Sequence, residues 1–289
     1  MCHEVVPDPP WGVSCRSESD TVGGTCMRRV VVVVAALCLT VVGAAPAAAD
    51  ACAAVIGHRG DSAIAPENTV RALRAALANG AGRVEVDVRR TTDGRLVLLH
   101  DARLARTTDV EQRFPGEDPW GVSALPYASI RQLDAGSWKD GRPARVPTVA
   151  GALELRAPLL LEPKVSIRSS RVNDVASRGD VIVQTFDVAW ARRFATKYPD
   201  VRLWLLSRDT PAAATIVDCS AWADGLSVRH AALDPVTVGT AHEAGMSVAA
   251  WTVTDQVTAQ SMLTIGVDSI ITPSVAEATS WAGCTGSAG

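Results

Sequence analysis

The sequence predicts an α/β protein of the TIM-barrel type, (β/α)8, in which eight parallel strands close inside a ring of helices within a single domain. Short apolar runs recur along the chain with helical stretches between them, the pattern of strands joined by crossover helices. Residues of catalytic type stand at or just beyond the ends of several runs. A closed barrel gathers those strand ends into one mouth, so it explains both observations better than an open sheet.

The strands are predicted first, because each is a short apolar run bounded by polar or turn residues. The runs span residues 53–56, 83–88, 96–99, 158–161, 181–183, 201–206, 223–226, 247–250 and 269–271. Asp93-Gly94 separates the second run from the third and is typical of a hairpin turn, which would return the chain to His100.

Helix start signals appear between these runs. Residues 68–78 follow the Pro66-Glu67-Asn68 turn, and residues 234–244 open with Asp234-Pro235. Residues 114–145 are rich in Pro, Gly and Trp and predict an irregular insertion after the second strand region, which we expect to cover the mouth. The short span between Lys164 and Val181 leaves room only for a stunted helix.

The first 49 residues are expected to lie outside the fold. Residues 27–49 begin with Met27-Arg28-Arg29, continue through an apolar run and end in Ala47-Ala48-Ala49, the plan of a secretory signal peptide. The apolar run is about 13 residues long, and a membrane-crossing helix needs roughly 20. We therefore expect a secreted or cell-envelope protein without a stable transmembrane anchor. Residues 1–26 would be an upstream extension, and residues 50–289 the folded domain.

Charge and cysteines narrow the choice of partner and compartment. Cleavage leaves 289 − 49 = 240 residues with a balance of 25 − 27 = −2, which argues against a nucleic-acid partner. Oligomeric state has no sequence signal here.

Cys52, Cys219 and Cys284 would remain in the exported chain. A barrel brings the chain ends together, so Cys52 could pair with Cys284, and three unpaired thiols are the alternative.

Carboxylates form the first candidate site. Glu85 and Asp87 are two residues apart on a strand, so both side chains point to the same side, which can be the barrel interior. Buried carboxylates are costly unless they are paired or bind a metal. Glu162 ends another strand and could complete an oxygen site for one divalent cation, Ca²⁺ or Mg²⁺. The alternative for Glu85 and Asp87 is a surface or salt-bridge role.

Two histidines stand at the ends of separate strands. His58 and His100 could exchange protons with an attacking group and a leaving alkoxide near neutral pH. Arg59 and Lys164 supply the cations that a phosphodiester needs, although salt bridges at the mouth would explain them equally.

The positions of the other two histidines and of Trp251 along the chain predict their roles. His230 and His242 fall in a loop and a helix, and we expect them at the surface. Trp251 ends a strand and could contact the glycerol or lipid part of a substrate.

These motifs resemble the glycerophosphodiester phosphodiesterase family, in family order and over nearly all of residues 55–271. The matching segments are GHRG at 57–60, PENT at 66–69, VEVDVRRTTDGRLVLLHD at 84–101, LDAGSW at 133–138, VPTVAGAL at 146–153, LEPK at 161–164, QTFD at 184–187, AAWTVTD at 249–255 and GVDSIIT at 266–272. One departure is Pro273, which follows Thr272 where the family usually has an aspartate.

The resemblance implies a TIM barrel that hydrolyses glycerophosphodiesters, such as glycerophosphocholine or glycerophosphoethanolamine, to sn-glycerol 3-phosphate and an alcohol. It also implies three sets of roles, namely a divalent cation on Glu85, Asp87 and Glu162, acid/base catalysis by His58 and His100, and phosphate contacts from Arg59 and Lys164.

Two other functions compete with this interpretation. A phospholipase D-type hydrolase of the same barrel would act on lysophospholipid or sphingomyelin and would show exposed apolar or basic residues around the mouth. A non-catalytic barrel could bind a phosphodiester or a partner protein, but it has no need of two histidines beside three carboxylates.

Overall fold

The computed structural model describes residues 54–164 and 167–284. The predicted upstream extension and signal peptide lie outside these ranges. The described chain forms nine strands, which are β1 (Val55–Gly57), β2 (Arg83–Arg90), β3 (Leu96–Leu98), β4 (Leu159–Pro163), β5 (Val181–Thr185), β6 (Leu203–Ser207), β7 (Gly225–Arg229), β8 (Ser247–Trp251) and β9 (Ser269–Thr272).

Eight of the strands are parallel and close into a barrel. β1 completes the closure, because Ile56 pairs with Ile271 of β9 on one side and with Arg83 of β2 on the other. β3 is the exception, since it runs antiparallel to β2 after the turn at Gly94. The predicted TIM barrel and the hairpin are therefore confirmed. All nine predicted runs become strands, with boundaries that shift by a few residues.

Helices fill the crossovers. They are α1 (Val70–Ala78), α2 (Val110–Arg113), α3 (Tyr127–Ile130), α4 (Ser137–Asp140), α5 (Val149–Leu153), α6 (Ser169–Ala176), α7 (Val188–Lys197), α8 (Ala213–Ser220), α9 (Pro235–Glu243), α10 (Gln256–Thr264) and α11 (Val275–Trp281), with a short 3₁₀ helix at His230–Ala232. None of the helices in the described ranges is long and apolar enough to cross a membrane.

Side-chain caps explain where several helices begin. Thr69 accepts a hydrogen bond from the backbone N–H of Ala72 at the start of α1, and Asp234 accepts one from Thr237 at the start of α9. Asp187 and Asp255 cap α7 and α10 in the same way. α6 is eight residues long, as long as α8, so the prediction of a stunted helix after Lys164 was wrong.

Alternation along the strands separates an outer core from the barrel interior. On β2, Val84, Val86 and Val88 pack under the helices, which leaves Glu85 and Asp87 on the inward side. A small apolar layer fills the interior and includes Ile56, Leu160 and Ile271. Polar side chains lie at the carboxyl ends of the strands beyond this layer, which places the candidate site at the mouth.

The insertion comprises residues 99–148 and begins directly after β3, earlier than the predicted residue 114. It has an apolar cluster of its own, built around buried side chains such as Leu104, Ile130 and Leu133. Its α4 end contacts the first loop and helix of the barrel, where Lys139 Nζ donates to the carbonyl of Ser62 and Arg71 pairs with Asp140. The insertion therefore packs against the rim beside β1.

The cysteines are buried where the structure describes them. Cys219 on α8 is a free thiol whose pKa is raised by burial, and Cys284 follows α11. Cys52 lies outside the described residues, so its pairing with Cys284 stays a prediction.

Candidate active site

The three predicted carboxylates meet at the mouth. Glu85 and Asp87 lie on β2, and strand register places Asp87 opposite Glu162 of β4. One oxygen from each of the three lies within 4.8 Å of the others. Their exposed fractions are 1%, 1% and 7%. A buried set of three carboxylate oxygens is a donor set that fits a hard divalent cation.

Protonation in this cluster is divided unevenly. Burial, followed by the charges of Asp87 and Glu162, raises the pKa of Glu85 well above its usual value. Burial also raises the pKa of Glu162. Asp87 is equally buried, but Lys164 and Arg59 outweigh that effect and lower its pKa. Without a bound cation, the cluster therefore favours the protonated form of Glu85, while Lys164 and Arg59 keep Asp87 ionised.

Lys164 and Arg59 flank the carboxylates from two sides. Lys164 Nζ lies 2.7 Å from Glu162 Oε1 and 3.1 Å from Asp87 Oδ1. Arg59 Nε lies 3.2 Å from Asp87 Oδ2, and its Nη1 donates to Glu67 at 2.9 Å. Both predicted cations are thus part of the site, and the ion pairs that were the alternative interpretation are present as well.

The loop after β1 is held in an unusual backbone conformation. Arg59 has φ = 59°, which is unfavourable for a side chain of this size. Its N–H donates to Glu85 Oε2 at 2.8 Å, and its carbonyl accepts from Asn68. A Cβ at Gly60 would come within 2.5 Å of the Ala72 backbone, so only glycine fits there. These contacts fix the Arg59 backbone against the carboxylate cluster.

Asn68 is a site residue that the sequence interpretation missed, since it was assigned only to the turn before α1. Its Nδ2 donates to Asp87 Oδ2 at 2.7 Å, and its Oδ1 accepts from the Asp87 backbone N–H at 3.0 Å. It is buried and has φ = 56°, a conformation that asparagine tolerates better than most residues. This double contact orients the Asp87 carboxylate.

His58 and His100 lie at the same mouth, and the charge of Asp87 acts on both rings. His58 follows β1, where its N–H donates to the Thr272 carbonyl of β9 at 2.7 Å. Burial and the neighbouring Arg59 lower the pKa of His58 to about 4. Burial also lowers the pKa of His100. Both rings are therefore neutral near pH 7 and can accept a proton.

Asp101 fixes the tautomer of His100. Its Oδ1 lies 2.7 Å from His100 Nδ1, and the hydrogen bond from Arg106 holds the pKa of Asp101 at about 2. An ionised carboxylate can only accept, so Nδ1 carries the proton and Nε2 keeps its lone pair.

Arg106 is a second residue that sequence reasoning missed. It contacts Asp101 through Nε and forms two hydrogen bonds to Glu67, at 2.8 and 2.7 Å. Because Glu67 also pairs with Arg59, Arg106 connects Asp101, the partner of His100, to Arg59 beside the carboxylates. No local pattern marks it, because its link to Glu67 joins residues that are 39 positions apart in the sequence.

A cavity of about 420 Å³ opens beside the carboxylates, at the ends of β4, β5 and β6. Glu162 and Lys164 line one end, and Phe186 and Arg208 are also in its wall. Trp251 lies next to it, with its indole N–H on the Ser227 carbonyl and its ring edge-to-face with Phe186 at 5.7 Å. Trp251 therefore stands at the mouth as predicted, beside the space that a substrate could enter.

Two minor predictions concern the remaining polar residues. His242 is exposed and pairs with Asp268, as expected, whereas His230 in the 3₁₀ helix is half-buried and lies outside the carboxylate cluster. Pro273 stands where the family that the sequence resembles usually has an aspartate, and its carbonyl accepts a hydrogen bond from the Ala63 N–H. A backbone contact to the β1 loop is thus made without an aspartate.

Comparison with known proteins assigns the chain to a family. A family model described as the glycerophosphoryl diester phosphodiesterase family matches residues 58–170 and 160–277. The chain belongs to this family. It is accordingly an enzyme, a phosphoric diester hydrolase of the glycerophosphodiester phosphodiesterase type.

Individual relatives agree with the assignment. YhdW of Bacillus subtilis (strain 168) is 30% identical over 238 residues, 75% of this chain and 93% of that protein. A glycerophosphodiester phosphodiesterase of Caldanaerobacter subterraneus subsp. tengcongensis is 28% identical over 75% of this chain and 93% of its own. The solved structure of an Oleispira antarctica phosphodiesterase, in complex with the product sn-glycerol-3-phosphate, has a TM-score of 0.70 at 26% identity, covering 78% of this chain and 95% of that one.

Proposed function

We propose that this glycerophosphodiester phosphodiesterase hydrolyses small glycerophosphodiesters to sn-glycerol 3-phosphate and an alcohol, using one divalent cation, Ca²⁺ or Mg²⁺. The observation that carries the proposal is the buried cluster of Glu85, Asp87 and Glu162, with oxygens within 4.8 Å of one another. Buried carboxylates are costly unless they are paired or bind a metal, and these three share only two cations, Lys164 and Arg59.

The cation would be held by these three carboxylates, with water or substrate oxygens as further ligands. When bound, it would neutralise charge on the phosphoryl oxygens and help to ionise the attacking hydroxyl. Lys164 and Arg59 would contact the remaining phosphate oxygens, Arg59 through its planar fork and Lys164 as a point charge. Both already lie against the cluster, so little reorganisation would be needed on binding.

His58 and His100 would move the protons. Both are neutral at pH 7, so one can accept the proton of the attacking hydroxyl and later return it to solvent. The other would first take up a proton from solvent and then deliver it to the leaving alkoxide. Asp101 leaves Nε2 of His100 free to exchange that proton and would stabilise the imidazolium that forms.

Product analysis tests the reaction and the histidine roles together. The purified protein would be incubated with glycerophosphoglycerol, glycerophosphoserine, glycerophosphoethanolamine and glycerophosphocholine in the presence of Ca²⁺ or Mg²⁺. We expect release of sn-glycerol 3-phosphate, and a loss of at least about 100-fold in kcat for His58→Ala and for His100→Ala. The matched control is His242→Ala, at the surface, which should retain full activity. Full activity in both site variants would contradict the assignment of acid/base catalysis to these residues.

One observation favours the phospholipase D-type alternative. Ile64 and Trp138 are 53% and 43% exposed. The hydrogen bond from Lys139 to the carbonyl of Ser62 brings the two segments that carry these side chains together at the rim. An apolar rim could contact lipid. Release of choline from lysophosphatidylcholine, at a rate above that for glycerophosphocholine, would move the assignment to this alternative.

We also propose that the enzyme is exported and that residues 50–289 are its mature domain. The support is the leader pattern from Met27 to Ala49, followed by a barrel whose described part begins at residue 54. Amino-terminal sequencing of the protein recovered outside the cytoplasm should begin at or near Asp50. Recovery in the cytoplasm with an intact leader would contradict export.

A further inference from the structure

Arg208 is a cation in the cavity wall that has aromatic partners only. It follows β6, with its Cζ 4.7 Å from the ring centroid of Phe186 and 5.9 Å from that of Trp251. Among the described residues it forms no ion pair and no hydrogen bond. A guanidinium has five N–H donors in a rigid fork, so Arg208 retains its full capacity to bind an anion.

The other charges in this cavity are already engaged. Lys164 pairs with Glu162 at 2.7 Å. Asp187 accepts from the Trp190 N–H and lies at the positive end of α7, which offsets part of its charge. Arg208 is consequently the least compensated charge facing the 420 Å³ space that begins at Glu162 and Lys164.

The stacked position of Arg208 also decides which ligands are disfavoured. Exposed aromatic faces attract quaternary ammonium groups, but here the guanidinium already occupies the aromatic pair of Phe186 and Trp251. A second cation would be repelled at short range. An anionic group would instead gain a charge-assisted, bidentate contact from a side chain that the rings already hold in place.

We propose that Arg208 determines head-group specificity, selecting glycerophosphodiesters whose leaving alcohol carries an additional anionic group. The substrate's phosphodiester would lie at Lys164 and Arg59, and the alcohol would extend through the cavity to Arg208. This inference rests on the proposed hydrolysis, and names the class of substrate for that site.

Glycerophosphoserine and glycerophosphoethanolamine form a matched pair of substrates, because they differ by one carboxylate and release the same sn-glycerol 3-phosphate. We expect wild-type kcat/KM to be at least about tenfold higher for glycerophosphoserine, the value of one charge-assisted contact. In Arg208→Gln the ratio should fall to near one, while kcat/KM for glycerophosphoethanolamine changes by less than about threefold. Arg208 is exposed, so the variant should fold normally.

Arg192→Gln provides the matched control. Arg192 also lies over an aromatic ring, 5.9 Å from the centroid of Trp222, but it stands on α7 and does not line the cavity. It should leave the substrate ratio unchanged. Two results would overturn the role of Arg208 and leave the proposed function standing. One is a wild type that hydrolyses both substrates with a kcat/KM ratio near one, and the other is a raised ratio that is unchanged in Arg208→Gln. If wild type cleaves neither these substrates nor glycerophosphoglycerol, the proposed function fails and this inference fails with it.

Discussion

At the residue scale, Asp87 is the side chain on which most of the site's contacts converge. Arg59, Lys164 and Asn68 all contact its carboxylate. The period of two along β2 predicts that Glu85 and Asp87 share a face, and the end of β4 predicts Glu162. Asn68 could not be assigned in this way, because its role depends on a contact between the loop and β2 that no local pattern encodes.

Asn68→Ala should destabilise the protein by about 1–3 kcal/mol, since it removes a hydrogen bond to a charged group and leaves the buried Asp87 N–H without its acceptor. Chemical denaturation of the metal-free protein measures the change. Asn79→Ala, which removes the hydrogen bond from Asn79 to Asp61, is a comparison that leaves the site intact. It should retain activity, whereas Asn68→Ala should lose it in part. Equal activity of the two variants would mean that Asn68 does not orient Asp87.

Asp101→Asn should lower the pKa of His100 further. Burial lowers that pKa, and the charge of Asp87 and the hydrogen bond that His100 donates to Asp101 oppose burial, so losing this hydrogen bond lowers the pKa further. The C–H resonances of the His100 ring, followed by NMR against pH, report the value directly. We expect the midpoint to move to lower pH and kcat to fall at least about tenfold, because the productive tautomer is no longer fixed. An unchanged midpoint would show that Asp101 does not control the charge on His100.

Glu85→Gln should stabilise the metal-free protein at alkaline pH. The folded-state pKa of Glu85 is raised, so its contribution to stability is greatest below the unfolded value of roughly 4.3 and is lost as pH rises through the raised value. Glutamine has no such charge and can still accept from the Arg59 N–H. We expect a gain of about 1–3 kcal/mol at pH 8 that shrinks toward pH 4. Glu154→Gln, exposed at the end of α5, should show no such trend, and a pH-independent difference for Glu85→Gln would contradict the account.

At the scale of elements, the strands follow closely from the sequence and the insertion does not. The nine apolar runs and the Asp93-Gly94 hairpin have short-range signals, and each becomes the predicted element. The insertion holds only four-residue helices, α2 to α4, which are too short to show a periodicity. Its apolar cluster is joined by polar contacts, such as the hydrogen bond from the Asp134 N–H to Asp109, that link parts of the segment distant in sequence.

Asp134 holds one end of the insertion together. Its Oδ1 accepts from the backbone N–H groups of Gly136, Ser137 and Ala144, at 2.8, 3.2 and 3.1 Å. These bonds outweigh the burial that opposes them and lower the pKa of Asp134, so its contribution to stability is present above the unfolded value of roughly 3.9 and is lost as pH falls.

Asp134→Ala should open this end of the insertion, with a loss of about 1–3 kcal/mol in local stability. Hydrogen exchange should accelerate at the amides of residues 136–144, while amides of the barrel strands keep their protection. Asp209→Ala, in the loop after β6, serves as the control and should leave exchange in the insertion unchanged. Unchanged exchange in Asp134→Ala would show that the neighbouring apolar cluster holds the segment without this carboxylate.

At the scale of the whole molecule, barrel closure makes the site. β1 pairs with both β2 and β9, which brings His58 beside Glu85 and Asp87 from a neighbouring strand. The sequence predicts this convergence because alternating strands and helices imply one mouth. It does not predict that a cavity opens beside β4, β5 and β6 with Arg208 in its wall, because no local pattern encodes how the loops after these strands pack.

The central claim is that Glu85, Asp87 and Glu162 hold the cation required for hydrolysis. The most direct test strips the enzyme with EDTA and titrates Ca²⁺ or Mg²⁺ back while sn-glycerol 3-phosphate release is measured, with wild type beside Glu162→Gln. We predict no release without cation, saturable recovery for wild type, and at least about 100-fold less recovery at the same cation concentration for the variant. Full activity in EDTA, or equal recovery by the variant, would contradict the claim.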